Sequence, residues 1–144
     1  MVMLISIKLK QLAGNSYDKV IGDRWIDKVG DYYFHYAVRP QGVLKRGVFK
    51  PFTKGFIAAL CGASVIMPTY ESEALYYLPD DYPYFLNDVS YDSVMNMLRF
   101  CKDTFMSSEW EYAMEVMRFV KSRCSNDFIV SEFRDLLKHI CVID

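Results

Sequence analysis

The sequence predicts an α+β fold, a small antiparallel β-sheet from the N-terminal half packed with three C-terminal helices. Three observations predict this class. The chain has 144 residues, the length of a single domain with a full core. Hydrophobic residues make up 52% and charged residues 24%, which excludes a disordered chain. Strand-like runs fill the first half, and apolar residues at helical spacing fill the last third. We expect residues 1–68 to be mainly β, 69–92 to be a long loop and 93–144 to be helical.

The predicted strands all lie in the first 68 residues. Residues 5–9 alternate between apolar and polar, the period of a half-buried strand. Aromatic and β-branched residues predict two further strands over 24–29 and 32–39, joined by a turn at residues 29–31. Residues 43–52 continue this pattern, whereas 56–67 form an apolar run that fits either a strand or a helix.

The segment 69–92 carries prolines, acidic residues and tyrosines, and no lysine or arginine. This composition predicts a long irregular connection. Two interpretations stay open, because such a loop can serve as a lid or partner surface, or can simply be pinned by its tyrosines.

Three helices are predicted from Ser90 onward. The second helix is expected to begin at a capping box formed by Ser107, Ser108 and Glu111. A break at 122–126 separates it from the third helix. The apolar side chains expected to face the core are Val94, Met97, Leu98, Cys101 and Phe105 in the first helix, Trp110, Ala113, Met114, Met117 and Val120 in the second, and Phe128, Ile129, Phe133, Leu136, Leu137 and Ile140 in the third.

The net charge of −1 hides an asymmetry along the chain. Through Lys54 there are 10 basic against 4 acidic residues (+6), and beyond it 7 against 14 (−7). The basic half can attract nucleic acid or anionic lipid, or it can pair with the chain's own acidic half. No apolar run is long enough to span a membrane, and the N-terminus does not have the pattern of a signal peptide, so we expect an intracellular protein.

The four cysteines show no CxxC spacing and there are two histidines, so neither a metal site nor a cofactor is predicted, and reduced thiols are expected. One cysteine differs from the others. Cys124 is followed by the cap residues Ser125, Asn126 and Asp127, so it lies at or just before a helix N-terminus, where the helix dipole favours a thiolate. His35 lies within an aromatic strand and has two interpretations, a general base or a strand histidine bonded to backbone.

The pattern around His35 resembles the H-box of the H-box/NC proteins, which include lecithin:retinol acyltransferase, its phospholipase relatives and some picornavirus 2A proteins. The resemblance lies in Gly22-Asp23, then His35-Tyr36-Ala37-Val38, then Gly42. The residues from Arg123 to Ile129 are similar to a loosened form of the family's cysteine motif, although Arg123 replaces its asparagine and the second H-box histidine is absent.

This resemblance implies a circularly permuted papain-like (NlpC-type) fold with a catalytic His35–Cys124 dyad. For a 2A protein it implies support of viral RNA replication, with RNA, host or viral proteins as partners, in the host cytoplasm. The candidate RNA-binding residues are Arg24, Lys28, Arg39, Lys45, Arg46, Lys50 and Lys54. The alternatives are a thiol acyltransferase or phospholipase acting on lipid acyl groups, with peripheral membrane contact, and an unrelated protein-interaction module.

Overall fold

The computed structural model describes residues 29–39 and 51–140. Within them lie three strands and five helices. Their order along the chain is β1 (Phe34–Tyr36), α1 (Thr53–Leu60), β2 (Ser64–Pro68), α2 (Ser72–Tyr77), β3 (Phe85–Leu86), α3 (Tyr91–Asp103), α4 (Ser108–Ser122) and α5 (Asn126–Ile140). The chain is therefore mixed α and β. The strands predicted over 5–9 and over most of 24–29 and 43–52 fall outside the described residues.

The sheet is parallel, so the prediction of an antiparallel sheet is wrong. Its order is β1-β2-β3, and both neighbouring pairs are parallel. His35 on β1 lies opposite Val65 on β2. Parallel neighbours need a crossover, and here each connection contains a helix, α1 before β2 and α2 before β3. The aromatic, β-branched composition of the strands predicted their existence but says nothing about their relative direction.

Helix α1 lies within residues 1–68, which were expected to be mainly β; because most of that range falls outside the described residues, the expectation stays a prediction. The ambiguous run 56–67 contains both kinds of element, the end of α1 and most of β2. The change occurs at Gly62, which has φ +68°. Its N–H bonds to the Ala59 carbonyl and the Ala63 N–H bonds to the Ala58 carbonyl, a Schellman motif that ends the helix.

Strand β2 is the centre of the core, since all five of its residues are buried. One edge of β2 bonds to β1 through the Ser64 N–H and the Ile66 carbonyl. The other edge faces β3, which has two residues and pairs only with Met67 and Pro68. A buried side chain, Tyr82, supplies the partners that β3 is too short to provide. The Tyr82 hydroxyl accepts from the Val65 N–H at 3.0 Å and donates to the Val65 carbonyl at 3.1 Å.

The segment 69–92 is not a long loop, because it contains α2, β3 and two core tyrosines. Tyr82 and Tyr84 are 2% and 0% exposed. Burial raises the pKa of both phenols, that of Tyr84 to about 12. A buried phenol is tolerated when its hydroxyl is bonded, and Tyr84 bonds to Thr104 Oγ1 at 3.2 Å. Of the two interpretations left open for this segment, these contacts favour the one in which its tyrosines anchor it.

The first two predicted C-terminal helices are confirmed as α3 and α4. Ser90 caps α3 by accepting a hydrogen bond from the Ser93 N–H at 3.3 Å. The residues at the centre of each predicted core face are fully buried, Cys101 in α3 and Ala113, Met117 and Val120 in α4. Helix α4 packs against α1 and β2. The predicted capping box does not form, because the Ser107 hydroxyl donates to Glu109 Oε2 at 2.5 Å and makes no cap bond.

The third predicted helix, α5, exists, but the prediction that its apolar face is buried is wrong. None of its residues is buried. The apolar side chains from Ile129 to Ile140 are 41–68% exposed. Apolar residues at helical spacing identify a face that avoids water, but they do not identify what covers it. None of the helices in the described ranges has the length and apolar character needed to cross a membrane.

Candidate functional site

His35, the predicted general base, lies on β1 and is half-buried. Its Nε2 donates to the Val29 carbonyl at 3.1 Å. Burial lowers the pKa of the imidazole, and hydrogen bonds to the backbone of Val29 and Tyr32 oppose part of this effect. The ring is therefore held by the backbone of the residues just before β1, as the second interpretation of this histidine expects.

Cys124, the predicted nucleophile, lies in the turn between α4 and α5, where the sequence predicted it. Its thiol donates to the Val120 carbonyl at 3.4 Å, one turn back along α4. Ser125 Oγ accepts from the Phe128 N–H at 3.2 Å and so caps the start of α5. Burial raises the pKa of the Cys124 thiol, which is the opposite of what an activated nucleophile needs.

Within the described ranges, no hydrogen bond joins His35 to Cys124, and both side chains bond instead to nearby backbone carbonyls. In this arrangement neither group is prepared for proton transfer to the other. The catalytic dyad stays a prediction of the resemblance.

The candidate RNA-binding residues divide into two groups. Arg24, Lys28, Lys45, Arg46 and Lys50 lie outside the described residues. Of the two that are described, Lys54 is exposed in the first turn of α1. Arg39 is bonded bidentately to Glu71, through Nε to Oε1 at 3.0 Å and Nη2 to Oε2 at 2.7 Å. At Arg39 the basic half pairs with the chain's own acidic half, the alternative that the charge asymmetry left open.

Arg39 and Lys54 both line a cavity of about 200 Å³. Its walls come from four places in the fold, the chain just after β1, the end of β2 with the chain after it, the start of α1 and the start of α2. The lining residues are Ala37, Arg39, Pro51, Phe52, Thr53, Lys54, Met67, Glu71, Glu73 and Ala74. Because β1 and β2 are parallel, the residues that follow them meet at one edge of the sheet. The cavity therefore lies at the carboxyl edge of the sheet.

Three interactions hold this edge together. The Arg39–Glu71 pair connects the chain after β1 to the chain after β2, and Glu71 is 8% exposed. The Tyr70 hydroxyl donates to the Arg39 carbonyl and joins the same two segments. The Phe52 ring stacks on Tyr77 of α2, with centroids 5.3 Å apart. The cavity walls are thus held in place by contacts within the chain.

The cavity combines charged groups with an apolar surface. Lys54 brings a cation next to the N-terminus of α1, where helix N–H groups favour an anion. Glu71 and Glu73 bring carboxylates, which accept hydrogen bonds from hydroxyl groups. No cluster of metal-ligating side chains that could hold an ion occurs in the described part of the chain.

Sequence reasoning placed Arg39 and Lys54 in a binding surface but missed this cavity and both of its glutamates. A signal was present, because a charged residue follows each of two apolar runs, Arg39 directly after the first and Glu71 three residues beyond Pro68 at the end of the second. These charged residues indicate a shared site only once the two strands are known to be parallel, because only then do the residues after them lie at the same edge of the sheet.

Comparison of the chain with protein-family models, with curated proteins and with solved structures finds no match. The resemblance to H-box/NC proteins therefore stays a prediction.

Proposed function

We propose that this chain binds a phosphate-bearing small molecule, such as a nucleotide, at the carboxyl edge of its parallel sheet. The position of the cavity carries this proposal. Open parallel sheets bind their ligands outside the carboxyl ends of the strands. The cavity lined by Arg39, Lys54 and Glu71 lies at that place.

The lining residues suit different parts of such a ligand. Lys54 and the first turn of α1 would face the phosphate, since helix N-termini and lysine are common phosphate partners. A carboxylate at this edge, Glu71 or Glu73, would accept hydrogen bonds from sugar hydroxyls. The apolar side chains Phe52 and Met67 would cover the less polar part. At about 200 Å³ the cavity is smaller than a typical ligand site of about 300–1,000 Å³, so it would enclose only part of a nucleotide.

Isothermal titration calorimetry with inorganic phosphate and with nucleoside mono-, di- and triphosphates tests this proposal. We expect at least one nucleotide to bind, and Lys54→Met to weaken binding by roughly tenfold or more, because a hydrogen bond to a charged group contributes about 1.5–3 kcal/mol. Lys102→Met is the matched control, since Lys102 is an exposed lysine at the other end of a different helix. No binding at millimolar ligand, or equal weakening by both variants, would contradict the proposal.

The resemblance implies different functions, which stay predictions. These are RNA-dependent support of viral replication, acyl transfer by a Cys–His pair, and the papain-like arrangement that would hold this pair. Short single-stranded RNA, included in the same titrations, separates the first of these from nucleotide binding. RNA binding that weakens steeply with salt, with no nucleotide bound, would favour the viral function and overturn the proposal made here.

A further inference from the structure

Helix α5 carries a stripe of large apolar side chains along one face. Each of them is between 41% and 68% exposed, and the described part of the chain does not cover them. The stripe consists of Ile129, Val130, Phe133, Leu136, Leu137 and Ile140. Contiguous exposed apolar surface of this kind marks an interaction site, since folded proteins rarely leave it in water.

The spacing within the stripe is that of a helix-pairing seam. Ile129, Phe133, Leu136 and Ile140 are separated by four, three and four residues, the alternation of d and a positions in a coiled coil. The seam is asymmetric about its centre. On one flank, the e positions are apolar, Val130 and Leu137. On the other flank, the g positions are polar, Glu132 and His139.

Because of this asymmetry, two copies of the stripe are complementary when the helices run antiparallel but not when they run parallel. In an antiparallel pair of identical helices, each flank meets the same flank of the other helix. Val130 of one helix would then face Leu137 of the other, which widens the apolar contact, while the polar flanks would meet at the solvent edge. In a parallel pair, e positions face g positions, so Leu137 would lie against Glu132 or His139.

We propose that α5 pairs antiparallel with α5 of a second copy of this chain, forming a two-fold symmetric dimer. In this arrangement Ile129 lies opposite Ile140 of the other copy, and Phe133 lies opposite Leu136. The start of α5 is positioned for such pairing by Arg123, whose guanidinium lies 4.3 Å from the centroid of the Phe128 ring and pairs with Glu132 at 3.3 Å.

The charges of α5 favour a second copy over a membrane surface. Helices that lie on membranes carry a polar face rich in lysine and arginine, which attracts anionic lipids. The polar residues of α5 include three acids, Asp127, Glu132 and Asp135, against two bases, Arg134 and Lys138. Such a face gains nothing from an anionic surface.

The length of the helix determines how strong the pairing is. Fifteen residues of helix span about 22 Å. One helix pair of this length buries less than the roughly 800 Å² per partner of a standard interface. A pair of this size falls in the class of weak or transient interfaces.

Sedimentation velocity on the full chain, from about 1 to 200 µM, measures this association. We expect the wild type to shift from 16.8 kDa towards twice that mass, and Phe133→Glu to remain monomeric throughout. Lys138→Glu, which adds an acid on the opposite face of the same helix, is the control and should dimerise like the wild type. Phe133 is 59% exposed, so the variant should keep the wild-type circular dichroism spectrum. A monomeric wild type at 200 µM, or dimerisation unaffected by Phe133→Glu, would overturn the proposal.

Disulfide cross-linking tests the direction of pairing. Oxidising a mixture of Ile129→Cys and Ile140→Cys chains, both made with Cys124 and Cys141 replaced by serine, should give a cross-linked dimer beyond the background of the remaining native cysteines. Either variant alone should give only that background, because like positions lie at opposite ends of an antiparallel pair. Cross-linking of Ile129→Cys by itself would mean parallel pairing and would contradict the antiparallel arrangement.

Discussion

Replacing Tyr82 by phenylalanine tests how the central strand is completed. The Tyr82 hydroxyl bonds to both the N–H and the carbonyl of Val65, on the edge of β2 that β3 is too short to reach. Val65 is 0% exposed, so water does not replace the lost partner without opening the core. Each buried backbone group left without a partner costs about 1–3 kcal/mol, so Tyr82→Phe, which leaves two, should lower the free energy of unfolding by about 2–6 kcal/mol.

Tyr84→Phe is the matched control, because Tyr84 is equally buried but its hydroxyl has a less demanding partner. Thr104 Oγ1 already donates to the Phe100 carbonyl at 2.7 Å, so losing Tyr84 as a donor leaves no hydrogen unpaired. We expect a cost of about 0.5–1.5 kcal/mol for this change. Urea unfolding followed by circular dichroism measures both values. If Tyr82→Phe costs no more than Tyr84→Phe, the Tyr82 hydroxyl does not complete the edge of β2 in place of a strand.

Four further predictions follow from single positions. Gly55→Ala should destabilise the chain by about 1–3 kcal/mol although alanine has the better helix propensity, because the added Cβ would lie 2.0 Å from the buried Phe52 ring. In a double-mutant cycle, Phe52→Leu should remove most of this destabilisation. Met106 is 67% exposed with φ 63°, so Met106→Gly should be more stable than Met106→Ala by about 0.5–1 kcal/mol in the same unfolding assay. The raised pKa of Cys124 predicts that its thiol is alkylated slowly at neutral pH, and that the rate keeps rising at pH values above the pKa of an ordinary thiol. Fast alkylation at pH 7 would instead support a reactive thiol. The lowered pKa of His35 means that the imidazole binds a proton more readily in the unfolded chain than in the folded chain. The contribution of neutral His35 to stability is therefore complete above about pH 6.5 and is lost as the pH falls through the pKa of the folded chain. A nuclear magnetic resonance titration that gives the ring a pKa above 6.5 would contradict this.

How far the fold follows from the sequence depends on the length of each element. The helices α3 and α4 are 13 and 15 residues long, enough for several turns of apolar spacing, and their central core residues were predicted. Helix α2 has six residues and β3 has two, too few to show a period, so the sequence pattern predicts a loop where they lie. Its buried tyrosines resemble exposed loop residues until their hydroxyl partners, Val65 and Thr104, are known.

The site depends on information that no local pattern contains. The predictions of His35 and Cys124 rest on local chemistry, and the structure shows that each bonds to backbone near it in sequence. The cavity forms because Arg39 and Glu71, 32 residues apart, follow strands that run in the same direction. Strand direction is decided by how the whole chain packs, because a fully buried strand such as β2 has the same composition in either arrangement. The two basic residues of the cavity were therefore foreseen as charges but not as neighbours of two glutamates.

The location of a bound phosphate compound tests directly whether the carboxyl edge of the sheet is the binding site. Amide chemical shifts of the isotope-labelled chain, recorded while the tightest-binding nucleotide is added, map that location. We expect the largest changes on residues 37–39, 52–54 and 71–74, around the carboxyl edge of the sheet. Changes centred on the turn at Cys124 or on α5, with residues 52–54 unmoved, would contradict this expectation and would place the function of this chain elsewhere.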